Sequence, residues 1–282
     1  GVVEMNALIT PPALNGKRFH QSGHRFGELP FILISGTGRS GTTIVTKGIQ
    51  KHSKVYSNGV ESNIIHDLLS AGLRNCQMPS RRNQLILPLP RYEMEFRDLI
   101  LRLRFPEEMN GIDEPLALST FSSMNPTIAE FFEKLFPQVV WLVVVRNGIE
   151  VVASRVEHQT FGRFSFEENC LVWSRCVEMA DYAHQSDRGV VLRHEELFDR
   201  DLIEQRLGGV FGKAGLDYQP RCGDFILRTR RHGTQTQGES DENSLDLGKR
   251  RDRWKYWTKD QRIQFNRICG TAMDSLGYEI PF

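Results

Sequence analysis

Residues Ser35-Gly36-Thr37-Gly38-Arg39-Ser40-Gly41-Thr42-Thr43 gather three glycines, a run of hydroxyls and one cation into nine positions. Glycines let successive backbone N–H groups converge on an anion, and a helix starting there adds unpaired N–H groups and a partial positive charge. This is the chemistry of a phosphate cradle. The spacing Gly36-x-x-x-x-Gly41 mimics the nucleotide triphosphatase loop, yet the place of that motif's lysine is taken by Thr42, so nothing there reaches a β- or γ-phosphate. A later strand repeats the discrepancy. Where a triphosphatase ends a strand with Asp to hold magnesium, Val143-Val144-Val145 runs into Arg146-Asn147. Two cations, Arg39 and Arg146, stand where a lysine and a metal-holding carboxylate would be, which points to an anion site with no metal.

Elements must position these residues. Residues 1 to 30 hold Pro11, Pro12, Gly16, Gly23, Gly27 and Pro30 with little periodicity, and read as an irregular arm before a single domain at 31–282. The apolar run Phe31 to Ile34, closed by glycines, predicts a strand buried on both faces, followed by a helix from about Thr42 to Lys51. Further strands are predicted at Val55 to Ser57, Gly111 to Asp113 (ended by Pro115), Val139 to Val145 and Val190 to Leu192. Helices are predicted at Ile64 to Leu73, Met94 to Arg104, Thr127 to Phe136, Gly148 to Glu157, Phe166 to Gln185 and Lys259 to Leu276. Such alternation implies right-handed βαβ crossovers. The expected fold is α/β, a three-layer sandwich with a central, mostly parallel sheet between helices and ligands at the carboxyl ends of the strands.

Composition narrows the partners. The 282 residues are 39% hydrophobic and 25% charged, as in a globular chain able to bury a sizeable core. Lys plus Arg is 36 against 35 for Asp plus Glu, so no global field favours nucleic acid or a membrane, and any anion site is local. Of the 36 cations 27 are arginine, whose planar fork suits bidentate contact with phosphate or sulfate, although genome composition produces the same bias. The five cysteines, Cys76, Cys170, Cys176, Cys222 and Cys269, form no C-x-x-C pair and suggest neither a disulfide framework nor a zinc site. The longest apolar runs are too short to span a bilayer. A soluble, cytoplasmic setting is expected.

The loop Arg39-Ser40-Gly41-Thr42-Thr43 resembles the [Lys/Arg]-Ser-Gly-Thr-Thr loop of sulfotransferases that use 3′-phosphoadenosine 5′-phosphosulfate (PAPS). In that family the loop, here with Gly38, holds the 5′-phosphosulfate. Arg146 at a strand end and Ser154 eight residues on resemble the pair that binds the 3′-phosphate. Val190 to Leu197 is similar to a strand and Tyr-Glu-Asp-Leu-like turn beside the adenine, with His194 in place of Tyr. Gly248-Lys249-Arg250-Arg251-Asp252-Arg253-Trp254-Lys255, before the last helix and Leu276-Gly277-Tyr278, is similar to the family's basic closing loop. The resemblance covers roughly Phe31 to Tyr278 and implies a P-loop-like sulfotransferase domain. It also implies PAPS as donor and 3′,5′-adenosine bisphosphate (PAP) as product, without a metal.

Sulfuryl transfer needs in-line placement, removal of the acceptor proton and stabilisation of the leaving phosphate. Arg39 and the loop amides suit the last role. Glu61, in Gly59-Val60-Glu61-Ser62-Asn63, stands where the resemblance places a catalytic Glu, with a solvated loop carboxylate as the plainer reading. His52, His66 and His158 lack a paired ligand at a useful spacing and read as structural. Many family members carry a Lys shortly before a Pro at the end of the next strand. Here Ile112-Asp113-Glu114-Pro115 is assigned to that place, which makes Asp113 and Glu114 acceptor-binding groups, rival bases or internal partners of arginines. Negative charge there would favour a small cationic acceptor, an amine or guanidine, over a carbohydrate or tyrosyl peptide. Two other readings remain: a P-loop nucleotide kinase, disfavoured by Thr42 and Arg146, and a non-catalytic nucleotide- or nucleic-acid-binding module using the basic clusters at Arg228–Arg231 and Lys249–Arg253.

Overall fold

The computed structural model describes residues 26–77, 88–106, 114–231 and 252–282. Five strands, β1 (Phe31–Gly36), β2 (Val55–Glu61), β3 (Ala117–Phe121), β4 (Val139–Val145) and β5 (Gly189–Arg193), form one sheet in the order β2-β3-β1-β4-β5. Every pairing is parallel. The order reverses on either side of β1, so the turn that follows β1 opens at the topological switch point, where ligands bind in such sheets.

Side chains alternate along each strand, so both faces need a cover. Ile32, Ile34, Val140, Leu142 and Val144 face one layer made by α1 (Thr42–Ile49), α7 (Arg200–Lys213) and α8 (Pro220–Arg231). Phe31, Leu33, Trp141, Val143 and Val145 face the other, made by α2 (Ile64–Gln77), α3 (Leu89–Arg104), α4 (Pro126–Leu135), α5 (Gly148–Val156), α6 (Phe166–Gln185) and α9 (Lys259–Ser275). All seven β4 residues are buried. An uninterrupted apolar run is therefore the right composition for this central strand, and each such side chain contributes about 1.5–3 kcal/mol.

Caps fix where the helices begin. Ser165 and Glu168 form a reciprocal box at α6, Glu168 N donating to Ser165 Oγ (3.1 Å) and Ser165 N to Glu168 Oε2 (2.7 Å). Thr258 and Gln261 do the same at α9. Asn125 and Asn147 cap α4 and α5 through their side-chain oxygens.

Three differences from the expected elements bear on the site. β2 runs on to Glu61, with a register irregularity between Ser57 and Glu61 that absorbs the turn-forming Asn58-Gly59. The third strand lies after Pro115, at Ala117–Phe121, and the predicted strand at Gly111 to Asp113 falls outside the described residues. Helices α7 and α8 fill the stretch after β5 that the sequence reading left without elements. Among the described residues no helix is long and apolar enough to cross a membrane, and all five cysteines are free thiols.

Candidate active site

The turn from Ser35 to Thr43 links β1 to α1 at the carboxyl edge of the sheet. Gly41 at the head of α1 has φ 97°, and Arg39 has φ 81°, the one left-handed non-glycine conformation among the described residues. Such a backbone costs about 1–3 kcal/mol and persists only where its surroundings enforce it. A methyl group on Gly36 would lie 2.7 Å from the Val144 carbonyl oxygen, and one on Gly38 would lie 2.9 Å from the Phe161 ring. These glycines therefore let the loop seat against β4 and the segment after α5. Ser40 is 1% exposed, and its hydroxyl is buried with no hydrogen-bond partner among the described residues. A buried, unpartnered hydroxyl at a strand-to-helix turn is where an anion's oxygen would be received.

The neighbouring turn, from β4 to α5, brings the second cation. Arg146 donates to Glu150 Oε2 from Nε (2.9 Å) and Nη2 (2.6 Å), and Nη1 reaches the carbonyl of Arg39 (3.1 Å). Trp173 on α6 holds this turn. Its Nε1 donates to Arg146 O (3.0 Å), and its ring lies 2.8 Å from where a Gly148 methyl would sit. Ser154, two turns along α5, accepts from Arg39 Nε at 3.1 Å. Arg39, Arg146 and Ser154 thus form one cluster joining the two turns.

Glu61, exposed at the end of β2, accepts from Thr43 Oγ1 at 2.9 Å. The proposed base and the proposed phosphate loop are therefore in direct contact. The Ser122-Ser123 segment after β3 stands beside them, with Ser122 Oγ accepting from His66 N (3.3 Å) and Asn63 Oδ1 from Ser123 N (3.2 Å). At the far end of the sheet, His194 is buried in the 3₁₀ turn after β5 with its ring edge-on to Phe198. Tyr278 approaches the same turn, its hydroxyl donating to Glu195 Oε2 (2.9 Å) and its ring covered by Arg193. Burial and the neighbouring Glu195 push the Tyr278 phenol above its ordinary range.

Other assigned residues lie elsewhere. Glu114 precedes β3, so it stands at the amino edge of the sheet, about 20 Å of extended chain from the carboxyl edge. Its assignment as an acceptor-binding group is corrected on that ground, because the segment that ends β3 is Ser122 to Asn125, before Pro126. Asp113, Lys249, Arg250 and Arg251 lie outside the described residues. His52 sits under the sheet end, with Nε2 on Asp217 O (3.0 Å) and Nδ1 accepting from Lys54 N (3.1 Å). Burial holds its pKa below the ordinary histidine value. His158 Nδ1 accepts from Thr160 N. Glu150 and Trp173 were missed by the sequence reading. Glu150 carries a readable signal, an acid four residues after Arg146 in a predicted helix, whereas Trp173 carries none.

No family model matches the sequence. A sulfotransferase domain from the curacin biosynthetic pathway superposes with a TM-score of 0.51 at 20% identity, over 90% of this chain and 99% of that one. The sulfotransferase domain of the Synechococcus PCC 7002 olefin synthase gives a TM-score of 0.54 at 14% identity, over 94% of this chain and 100% of that one. The chain has the sulfotransferase fold. Among the described residues no group of three or more His, Cys, Asp or Glu could hold a metal ion.

Proposed function

We propose that the chain is a sulfotransferase that moves the sulfuryl group of PAPS to a hydroxyl or nitrogen of a small acceptor and releases PAP. The observation that carries this reading is the cluster of a left-handed Arg39 with Arg146 and Ser154 at the switch point, with the buried Ser40 hydroxyl in the same loop and Glu61 bonded to the loop's Thr43. The sulfotransferase domains that share the fold support it.

When bound, PAPS supplies a sulfur that is attacked while its bond to the bridging phosphate oxygen breaks, that oxygen keeping the electron pair. The loop residues Gly38 to Thr43 would hold the 5′-phosphate, with backbone N–H groups and the Ser40 hydroxyl as donors. Arg39 brings positive charge to the same place and would stabilise the charge that builds on the leaving phosphate. Arg146 and Ser154 would take the 3′-phosphate, and the 3₁₀ turn at His194 would border the adenine. Lys249, Arg250 and Arg251 are assigned to the donor's phosphates by the resemblance to the family's basic loop alone. Glu61 would accept the acceptor's proton. Thr43 holds one oxygen of its carboxylate, and its exposure leaves the other open to solvent and acceptor.

The test is transfer from PAPS to a library of amine, guanidine, alcohol and phenol acceptors, with mass detection of sulfated product. Glu61→Gln is expected to lower turnover by about 10²–10⁴-fold while PAP affinity stays within a few fold. Near-normal turnover in that variant would remove Glu61 from the mechanism, and failure of the wild type to produce PAP with every acceptor would remove the sulfotransferase reading.

A further inference from the structure

Arg155, on the last turn of α5, is 4% exposed and has no carboxylate partner among the described residues. Its Nε donates to the neutral amide oxygen of Asn169 (2.8 Å), and its guanidinium lies over the Phe161 ring, 4.2 Å from the centroid. The other close group is the Cys176 thiol, which burial pushes up and so keeps neutral. Glu157, two residues on, is engaged by Arg253 at 2.6 Å. Burial pulls Arg155 down to about 10, which leaves it charged at neutral pH. A buried cation with only neutral neighbours is costly, and a fold that retains one needs an anion to offset it.

The geometry indicates where that anion belongs. Nη1 of Arg155 lies 3.2 Å from where a methyl on Gly38 would sit, so the guanidinium stands directly behind the loop, while the adjacent Ser154 meets Arg39 on the same loop. We propose that Arg155 is a positioning residue for the donor: a buried charge behind Gly38 that acts through the loop to hold the loop's bound phosphate. The inference rests on the PAPS reading for the identity of the anion and on Arg155's own surroundings for the charge. It also assigns a role to the Phe161 segment. Phe161 shields the guanidinium from water and screening ions, which strengthens the field at the loop.

Calorimetry with PAP, and in parallel with inorganic pyrophosphate, tests this on the whole chain. Arg155→Gln keeps an N–H donor for Asn169 and removes the charge, and is expected to weaken PAP binding by roughly tenfold or more. Arg155→Lys restores the charge without the planar fork and should recover most of that loss. A gap of tenfold between Gln and Lys supports the proposal, and a gap under threefold overturns it, whichever way the unliganded thermal midpoint moves. If the Gln variant does not fold, Asn169→Leu decides: it removes the polar anchor but keeps the charge, so PAP affinity within threefold of wild type supports a charge effect and a tenfold loss overturns it. Wild type that ignores PAP but binds pyrophosphate with the same Gln–Lys gap would sink the donor reading and leave Arg155 in its role. Binding of neither by the wild type would overturn both.

Discussion

The turn after β1 is shaped by its backbone, with Arg39 at φ 81° and Gly41 at φ 97°, whereas the turn after β4 is shaped by the side chain of Arg146 clamped by Glu150. The first holds left-handed backbone before any ligand arrives, and in the proposed function that backbone would aim its donors. The second is fixed by electrostatics, because a carboxylate holds the fork in place and, in the proposed function, would have to share it with a phosphate. A substitution should therefore harm the first turn through folding and the second through affinity.

The largest effect is expected at the second turn. Replacing the pair together, Arg146→Met with Glu150→Leu, avoids leaving a lone half-buried charge. It should weaken PAP binding by about 1.5–3 kcal/mol while unfolding free energy changes by less than about 1.5 kcal/mol. Denaturant titration and calorimetry on the same sample check both numbers, and a stability loss larger than the affinity loss would reverse the comparison. Next is the backbone turn. Gly41→Ala forces a Cβ into a left-handed position and should cost about 1–2 kcal/mol of stability, with PAP affinity falling alongside because the amides are no longer aimed. If the melting midpoint does not move, the strain assigned to this loop is absent. The smallest effect is expected from Glu150→Gln, which keeps a hydrogen-bond acceptor for Arg146 but removes the competing charge. PAP affinity should change by less than about fivefold, and its salt dependence should steepen.

How much of this was legible in the sequence depended on whether a signal was contiguous. β4 was read to the residue because seven apolar positions in a row leave no alternative to a strand buried on both faces. β3 was missed because Ala117-Leu118-Ser119-Thr120-Phe121 has polar residues in its middle, and Ser119 and Thr120 are nevertheless fully buried. Pro115 was read as the end of a strand when it precedes one. That single shift set Glu114 near the end of a strand, whereas it precedes β3 at the amino edge of the sheet. α7 was overlooked because Gly208, Gly209 and Gly212 lower its helix propensity, although Ile203, Leu207, Val210 and Phe211 keep helical spacing and are buried.

The same rule holds for the site. The loop, Arg146 and Ser154 were visible as local patterns, while the approach of Trp173, Phe161 and Arg155 to the two turns arises only when α5 and α6 pack beside them. Glu61 was singled out by its place after the predicted strand at Val55 to Ser57, and β2 in fact ends on it. Its contact with Thr43 was not, because that bond depends on β2 extending through the Asn58-Gly59 irregularity.

The central claim is that these two turns together read a nucleotide carrying a 5′-phosphate and a 3′-phosphate, with no metal between them. Calorimetric titration of the wild type with PAP, ADP and ATP, each with and without magnesium, tests it most directly. PAP is expected to bind at least tenfold more tightly than ADP or ATP, with magnesium leaving its affinity unchanged. Tighter binding of ATP that requires magnesium would contradict it.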